Sequence, residues 1–215
     1  MTATAPTTAA TQTTAKASGR STNNTREQLV ELSADLLCRR GFSGFSYQDL
    51  ANALGIRKAS VHHHFPQKAD LGLALCDWTE RWLLDGFEHF DRHGTSAPDK
   101  LQRYLRAAAK HTFADDKQCP VSALHSDLPL LPEAMTTRLT ELSDVELNWV
   151  SAVFAAGLER GELVHHPRHS EPRDMARLFI FACKGALFYA RLLGPQHFDQ
   201  SMALLLSQWL PDQQT

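Results

Sequence analysis

Three consecutive histidines, His62, His63 and His64, lie in the segment VHHHFP, where they could bind a metal, transfer a proton or contact a larger surface. Helical spacing precedes the segment and its proline ends it, so the triplet is predicted to lie in a short helix. Successive helix residues are rotated by about 100°, so three adjacent imidazoles cannot all bind one ion, and metal-binding helices favour i, i+4 spacing. The triplet therefore indicates a contact surface rather than a metal site.

The residues before the histidines predict two helices joined by a tight turn. Ser46 followed by Asp49 is typical of a helix start, Gly55 supplies the turn, and the second helix is expected over about 57–64. The apolar positions that would form a small core between them are Leu50, Leu54, Ile56 and Val61. This order of helix, glycine turn and short helix is the layout of a helix-turn-helix unit.

The second helix of such a unit enters the major groove of DNA, which is wide enough to admit it. Lys58, Ala59, His62 and His63 share one side of the predicted helix and could reach base edges or phosphates there. A plainer alternative is a solvated helix in which His64 packs against the neighbouring elements. The pattern therefore favours a DNA contact, with a surface helix as the alternative.

The remaining chain is predicted to be helical as well. Thr25 and Gln28 have the spacing of a capping box, which places the start of the first helix at Thr25 and its end at Gly41. The later helices are expected over about 67–89, 99–113, 120–128, 132–161, 173–193 and 196–210. Because the last two are apolar over much of their circumference, they are predicted to be buried, partly against another chain. No strand pattern or cofactor loop is present in the sequence, which indicates an all-α fold and no cofactor.

Composition limits the possible classes of protein. The 215 residues carry a net charge of −2, yet up to Leu75 the basic residues outnumber the acidic ones by three. A polyanionic partner is therefore expected to bind to the N-terminal part. The apolar stretch from Leu178 to Leu193 is too short for a membrane span and contains Lys184 and Arg191. Four dispersed cysteines and the lack of an apolar leader predict a reduced, cytoplasmic location.

The segment LVELSADLLCRRGFSGFSYQDLANALGIRKASVHHHFPQKADLGLAL resembles the DNA-binding domain of the tetracycline-repressor (TetR) family. The resemblance implies an all-α homodimer with an N-terminal three-helix helix-turn-helix domain and a C-terminal helical domain for ligand binding and dimerisation. We therefore expect a disordered tail over 1–24, the DNA-binding domain over 25–70, and the effector-binding and dimerisation domain over 71–215. The partners implied are a near-palindromic operator in double-stranded DNA, a small-molecule effector and a second copy held through the last two helices.

The resemblance also implies roles for single residues. Ser46 and Tyr47 match phosphate contacts at the start of the second helix, and His64 and Lys68 match phosphate contacts at and after the end of the third. The predicted groove-facing run, with the arginine that precedes it, comprises Arg57, Lys58, Ala59, Ser60, His62 and His63. Family members usually carry tyrosine where this chain has His62, so the operator sequence cannot be transferred from a relative.

Cys119 precedes Pro120, which is predicted to open a short helix. Positive partial charge at a helix N-terminus favours the reactive thiolate, and some TetR-like regulators of electrophile and oxidant responses resemble this region. The alternative is an inert structural thiol, which is the role expected of Cys38, Cys76 and Cys183. The residues predicted to line an apolar effector cavity, or otherwise to form ordinary core, are Trp78, Trp82, Phe87, Tyr104, His111, Cys119, His125, Trp149 and Phe154.

The function predicted from these features is a ligand-responsive transcriptional repressor released by a small apolar, aromatic or electrophilic effector. A DNA-binding architectural protein without such a switch is the alternative. An enzyme using Cys119 with His125 is disfavoured, because six helical positions separate the two side chains by about 240°. Two further histidine groups have incomplete ligand sets for zinc, so no metal site is predicted: Asp85, His89 and His93 form one, and His165, His166 and His169 the other.

Overall fold

The computed structural model describes residues 15–165 and 171–211, with side chains from Asn24 onward. All regular structure in these two ranges is helical, which confirms the predicted fold class. The nine α-helices that they contain are α1 (Ala15–Arg40), α2 (Tyr47–Leu54), α3 (Lys58–His64), α4 (Lys68–His93), α5 (Ala97–Ala109), α6 (Pro120–Ser126), α7 (Glu133–Glu159), α8 (Pro172–Leu193) and α9 (Pro195–Ser207).

The first helix corrects one prediction. It begins at Ala15 rather than at Thr25, so the capping-box spacing of Thr25 and Gln28 falls inside the helix and does not mark its start. Once a helix is nucleated, each added residue gains a backbone hydrogen bond, and alanine and lysine at Ala15 and Lys16 favour such an extension. The predicted tail therefore overlaps α1 from Ala15, and its first 14 residues lie outside the described residues.

The helix-turn-helix prediction is confirmed in detail. The Ser46 side chain accepts a hydrogen bond from the Asp49 backbone N–H, and the Asp49 carboxylate accepts one from the Ser46 backbone N–H at 2.7 Å. This reciprocal capping box satisfies two backbone donors that a helix start leaves unpaired. Gly55 ends α2 with φ of 65°, a left-handed conformation that glycine adopts without a Cβ clash. Val61 of α3 is completely buried beneath the turn.

Helices α4 and α7 form the centre of the C-terminal part, which α5, α8 and α9 complete. Helix α7 packs against α4, α5, α6 and α8, and α9 packs on α8. The aromatic side chains of Phe154, Phe179 and Trp209 are fully buried where α7, α8 and the end of α9 meet. The buried core is continuous from α1 to Trp209, so the DNA-binding helices and the C-terminal helices share one interior.

One helix ends earlier than predicted. The pattern predicts α5 as far as Phe113, whereas α5 ends at Ala109 and a π-helical turn, Lys110–Ala114, follows it. Such wider turns occur mostly as single insertions at helix ends or within helices, and often lie at functional sites. Here the turn brings His111 and Thr112 to the wall of a cavity described below.

The structure also bears on a membrane span and on a metal site, the two features that the sequence disfavours. Within the described ranges, none of the helices combines the length and hydropathy that crossing a bilayer requires. The same ranges contain no group of three histidine, cysteine or acidic side chains arranged to hold a metal ion. The rings of His89 and His93 lie 4.3 Å apart in a tilted arrangement on the exposed side of α4, whereas His166 and His169 lie outside the described residues.

Candidate DNA-binding surface and effector cavity

Helix α3 presents a polar side to solvent. Lys58, Ala59, His62 and His63 are exposed, and Arg57, which precedes the helix, is exposed as well. Ser60 and His64 are half-buried, because they lie nearer to the side of α3 that packs on α2. The described chain leaves the recognition side of α3 uncovered, as a helix that enters a DNA groove requires.

Tyr47 supports this helix from beneath. It is almost completely buried, and its hydroxyl donates to the backbone carbonyls of Phe65, at 2.9 Å, and Gln67, at 2.7 Å. Burial raises the pKa of Tyr47 to about 12, and Asp70 adds to the shift. The hydroxyl proton is therefore shared between two carbonyls at the end of α3, which makes Tyr47 a positioning residue in the structure. A phosphate contact by Tyr47 stays a prediction.

Lys68 also makes internal contacts. Its ammonium donates to the carbonyls of Phe42, at 2.7 Å, and Phe45, at 2.6 Å, and lies 4.7 Å from each of their ring centroids. Desolvation lowers the pKa of Lys68, and Asp127 and Asp49 offset part of that effect. Lys68 thus fastens the α1–α2 loop to the start of α4. The predicted phosphate contacts of Ser46, His64 and Lys68 also stay predictions.

Two cavities meet inside the C-terminal part. The α8-side cavity, of about 470 Å³, lies between α6, α7 and α8, and the α4-side cavity, of about 400 Å³, lies between α4, α5 and the π-helical turn. Their walls are mainly apolar, as is usual for sites that bind small molecules. The residues that border both cavities are Thr112, Cys119, Glu146, Lys184 and Leu187.

A charged cluster occupies the wall that the two cavities share. The Lys184 ammonium lies 2.8 Å from Glu146 Oε1 and 3.2 Å from the Cys119 Sγ. The Tyr104 hydroxyl donates to the same Glu146 oxygen at 2.6 Å. Burial disfavours the charged form of Lys184, but the neighbouring Cys119, Glu146 and Tyr104 outweigh it, so the pKa of Lys184 lies well above its ordinary value. The cluster therefore holds an ammonium beside a thiol that borders both cavities.

Six of the nine predicted effector residues border these cavities. Trp82, Phe87, Tyr104 and His111 line the α4-side cavity, His125 lines the α8-side cavity, and Cys119 lines both. His125 Nε2 lies 3.0 Å from the Ser143 hydroxyl, while the polar neighbour of Cys119 is Lys184, so the described side chains do not form a Cys119–His125 pair. Burial lowers the pKa of His125 and that of His111.

The other three predicted effector residues lie outside the two cavities. Trp78 faces α1, where it lines a small pocket with Arg26 and Arg81. Trp149 stacks on Phe87 at 4.6 Å and donates its indole N–H to Asp91, and Phe154 is completely buried in the core. The core role that the sequence left open for these side chains fits the positions of Trp149 and Phe154.

The three remaining cysteines are buried packing residues, as expected. Burial raises the pKa of Cys38 to about 12, that of Cys76 to about 11 and that of Cys183 to about 12. A raised pKa keeps a thiol in its unreactive protonated form at neutral pH. Cys119 is half-buried and stands directly before Pro120 at the start of α6, as predicted.

Sequence reasoning missed Lys184 and Glu146 as site residues. Glu146 follows Leu142 by four positions and precedes Val150 by four, so it continues a buried stripe of α7. Lys184 interrupts the apolar sequence of α8 in the same way. A carboxylate and an ammonium that each replace an apolar residue on neighbouring helices are the signal that indicates a buried pair, since unpaired buried charges are strongly unfavourable.

The loop that leads to Cys119 is bonded to the DNA-binding part. The Gln118 backbone N–H donates to the Cys38 carbonyl at 2.7 Å, and the Lys117 ammonium lies 2.9 Å from the Asp35 carboxylate. Asp127, after α6, accepts a hydrogen bond from the Ser43 backbone N–H at 2.9 Å. These contacts fasten both ends of the α6 region to α1 and to the α1–α2 loop.

Helices α8 and α9 leave an apolar surface uncovered within the described chain. The large side chains on this surface are Phe181, Phe188, Tyr189, Leu192, Leu193 and Leu204, each more than half exposed. A Cβ added at Gly185 meets nothing within 4 Å, so α8 has a smooth strip among these side chains. Exposed apolar areas of this kind mark protein–protein contacts.

The fold and the exposed α3 define a helical DNA-binding regulator, and known proteins of that class are similar to this chain. Residues 29–75 match the family described as "Bacterial regulatory proteins, tetR family". The transcriptional regulator AcuR from Cereibacter sphaeroides is 25% identical over 171 residues, which cover 77% of this chain and 76% of AcuR.

Solved structures show the same fold. A TetR-family transcriptional regulator from Agrobacterium tumefaciens superimposes with a TM-score of 0.82 and 26% identity, covering 88% of this chain and all of that one. AibR, solved with isovaleryl coenzyme A and operator DNA, superimposes with a TM-score of 0.64 and 17% identity, over 85% and 98% of the two chains. The family match over residues 29–75, the curated relatives and the shared fold support a TetR-family transcriptional regulator.

Proposed function

We propose that this chain is a ligand-responsive repressor that acts in the cytoplasm, with residues 25–70 binding an operator and residues 71–215 binding an effector and a second copy. The observation that carries the proposal is the bonded connection between the cavity wall and the DNA-binding part, through Gln118 and the Cys38 carbonyl. A cavity without such a connection would have no direct means of changing the position of α3.

Operator binding is assigned to α3 and to the residues that flank it. The uncovered Lys58, His62 and His63 have the positions expected for groove contacts, and Ser46, Arg57 and Lys68 lie near the two ends of the unit. A homodimer would present two such helices about 34 Å apart to the half-sites of a near-palindrome. The second copy is expected to cover the apolar surface of α8 and α9, where Tyr189 and Leu192 are exposed.

The effector is assigned to the two cavities beside Cys119. Their combined walls supply aromatic side chains such as Trp82 and Phe87 and a few polar groups, which suits a small apolar or aromatic molecule with one or two hydrogen-bonding atoms. AibR was solved with an acyl coenzyme A and operator DNA, so a protein of this fold can bind both kinds of partner. For this chain, a small-molecule effector is part of the proposal.

An electrophilic effector is favoured by the contact between Lys184 and Cys119. The Lys184 ammonium donates to the Cys119 Sγ at 3.2 Å, and a cation beside the sulfur is characteristic of reactive cysteines. Attack on the β-carbon of an unsaturated carbonyl compound would form an S–C bond, move the π electron pair to the carbonyl oxygen and take up one proton from water. The adduct would occupy the space beside Cys119, where the two cavities meet, and would displace the Lys184 ammonium from the sulfur.

Release of DNA would follow from preferential binding of the effector to one arrangement of the DNA-binding helices. Two routes lead from the cavities to α3. Helix α4 runs from Lys68 at the DNA-binding end to Trp82 at the α4-side cavity, and the α6 region is bonded to α1 through Gln118 and Lys117. An effector that moves either element changes the distance between the two copies of α3.

Selection of bound duplexes from a random pool, repeated with candidate effectors, tests the proposal. We expect one near-palindromic sequence to be recovered, with its occupancy reduced by the effector. Cys119→Ser should keep the DNA affinity and abolish release by electrophiles, while the matched variant Cys76→Ser should respond as the parent chain does. Recovery of no preferred sequence would reject the proposed repressor function. Unchanged release of DNA by electrophiles in Cys119→Ser would reject an electrophilic effector that acts on Cys119.

An architectural DNA-binding protein without a switch is the second candidate. The exposed α3 and the apolar surface of α8 and α9 would serve that function equally well. The cavities and their bonds to α1 favour the switch, because a purely architectural protein needs neither. An operator affinity that no small molecule changes would favour the architectural function.

A further inference from the structure

Helix α3 has one permanently charged side chain, that of Lys58. Its seven residues, KASVHHH, include one lysine, three histidines and no acidic residue. A helix in the major groove lies between two rows of phosphates, where each added cation strengthens binding. Imidazole is the side chain whose charge changes between about pH 5 and 8. The cationic character of this helix therefore depends on whether its histidines hold a second proton.

The surroundings of His62 determine which of its ring nitrogens can donate. Its Nδ1 lies 3.4 Å from the Pro66 carbonyl oxygen, which can only accept, so this contact favours the tautomer that carries its proton on Nδ1. The ring edge packs against Tyr47, with centroids 4.8 Å apart, and this holds the imidazole in place. In the neutral ring Nε2 is then an acceptor, and it becomes a donor only when the ring takes up a second proton.

DNA presents mostly acceptors to a side chain in this position. Phosphate oxygens accept, and guanine shows two acceptors, N7 and O6, in the major groove. In a neutral His62, Nε2 would face a DNA acceptor while being an acceptor itself, so no hydrogen bond would form. An imidazolium can donate from Nε2 and is also attracted to the phosphates. His63 is exposed beside His62 and meets the same acceptors.

We infer that His62 and His63 contact DNA as imidazolium cations, so that DNA binding takes up protons and weakens as the pH rises. This inference rests on the proposed function, because it takes α3 as the helix that enters the groove. It deepens that function by naming acceptor groups of DNA as the targets of the two rings and by linking operator affinity to pH.

The charged neighbours of the triplet leave the phosphates as its main source of negative charge. From α1, Arg26 faces His64, and from α3 itself Lys58 adds a second cation. The acidic residues that flank the triplet in the sequence are Asp49 and Asp70, and each accepts a backbone N–H at the start of its own helix. Tyr47 of α2 stays protonated, because burial raises its pKa to about 12.

His64 keeps the free helix from charging fully. Its ring lies 5.5 Å from that of His63, and burial, His63 and Arg26 together lower the pKa of His64. In the free protein two adjacent imidazolium rings repel one another, which favours neutral rings. Phosphates within about 4–6 Å would reverse this preference, because an opposite charge stabilises the imidazolium form. The protons would therefore be bound together with the DNA.

The test is DNA affinity between about pH 6 and 8, at constant low salt, with a duplex selected from the random pool and with one of mixed sequence. Uptake of one proton changes the affinity by at most tenfold per pH unit, so we expect binding to be about tenfold tighter at pH 6 than at pH 8 for each histidine that takes up a proton. His62→Asn/His63→Asn has no ionisable ring at these positions, so its affinity should hardly change between the two pH values, and His62→Lys/His63→Lys should bind well at both. His165→Asn, an exposed histidine after α7, is the matched control and should keep the pH dependence of the parent chain.

Each outcome decides the inference. An affinity that does not vary with pH, or a pH dependence that survives in the double asparagine variant, would overturn it and leave the repressor standing. Absence of binding at every pH would reject the proposed function and this inference with it. A duplex with 7-deazaguanine in place of guanine removes one of the guanine acceptors: a smaller pH dependence assigns the contact to guanine N7, and an unchanged one leaves guanine O6 and the phosphates as the acceptors.

Discussion

Helix α3 and the wall shared by the two cavities place their polar side chains in opposite ways. On α3, Lys58, His62 and His63 face solvent, and the backbone donors at the start of α2 are satisfied locally by Ser46 and Asp49. At the cavity wall, Glu146 is buried and Lys184 is half-buried, and the two are satisfied by each other and by residues distant in sequence. The exposed side of α3 can therefore bind a large polar surface. The cavity wall instead loses stability when one of its internal contacts is broken.

This difference separates the two regions in energy as well as in position. Exposed polar groups exchange protein contacts for water with little change in stability, whereas a buried charge that loses its partner destabilises a protein by several kcal/mol. A ligand that acts on the cavity wall can therefore produce a large free-energy change with few contacts. The exposed side chains of α3 contribute favourable free energy only when DNA is bound.

The largest effect is expected from Lys184→Met. The change leaves Glu146 buried with the Tyr104 hydroxyl as its remaining partner at this wall, and removal of one member of a buried ion pair costs about 3 kcal/mol or more. Chemical denaturation monitored by circular dichroism measures the free energy of unfolding. The double variant Lys184→Met/Glu146→Gln, which removes both charges and retains an acceptor for Tyr104, should recover most of the loss. Equal stability of the single variant and the parent chain would show that the pair is solvated.

The same contrast explains which features the sequence predicts. Ser46, Asp49 and Gly55 act within a few residues of one another, so spacing alone identifies the capping box, the turn and α3. The cavity wall joins Tyr104, Cys119, Glu146 and Lys184, and no local pattern pairs positions so far apart. Cys119 and Tyr104 are predicted as candidates by residue type, but their common partners require the packing of α5, α7 and α8.

Aromatic residues show the same limit. Trp82 and Trp149 have similar helical spacing in the sequence, yet Trp82 borders a cavity directly, whereas the half-buried Trp149 stacks on Phe87 and does not line the cavity itself. The start of α1 was mispredicted for a related reason, since the Thr25–Gln28 spacing is compatible with a helix start and with a helix interior. Local patterns predict which residues form helices better than where each helix begins or what each face meets.

A smaller effect is expected from Ser46→Ala, at the DNA-binding side of the comparison. The variant loses the side-chain cap of α2, which typically costs about 1 kcal/mol, while Ser46→Thr retains a hydroxyl and should keep most of the stability. Because α2 supports α3, operator affinity measured at the same pH should fall with the stability. Ser43→Ala, whose backbone N–H rather than side chain contacts Asp127, is the control. Unchanged stability and affinity in Ser46→Ala would show that the Ser46 side chain contributes neither to the cap nor to DNA binding.

The smallest effect concerns the pH dependence of stability at the cavity. Burial lowers the pKa of His111, although its hydrogen bond to the Gln118 carbonyl and the nearby Asp115 offset part of the shift. The folded state therefore holds His111 neutral more firmly than the unfolded state does. Its contribution to stability is present above the unfolded pKa of about 6.5 and is lost as the pH falls through that value towards the lower folded pKa.

Unfolding measured at about pH 7.5 and 5.5 should show a smaller acid-induced loss in His111→Asn than in the parent chain, because the variant has one fewer proton to bind on unfolding. His165→Asn, on the exposed turn after α7, should show the parent's loss. An identical loss in His111→Asn would mean that its ring binds a proton equally well in both states. In that case Gln118 would fasten the cavity wall to α1 without any contribution from the protonation of His111.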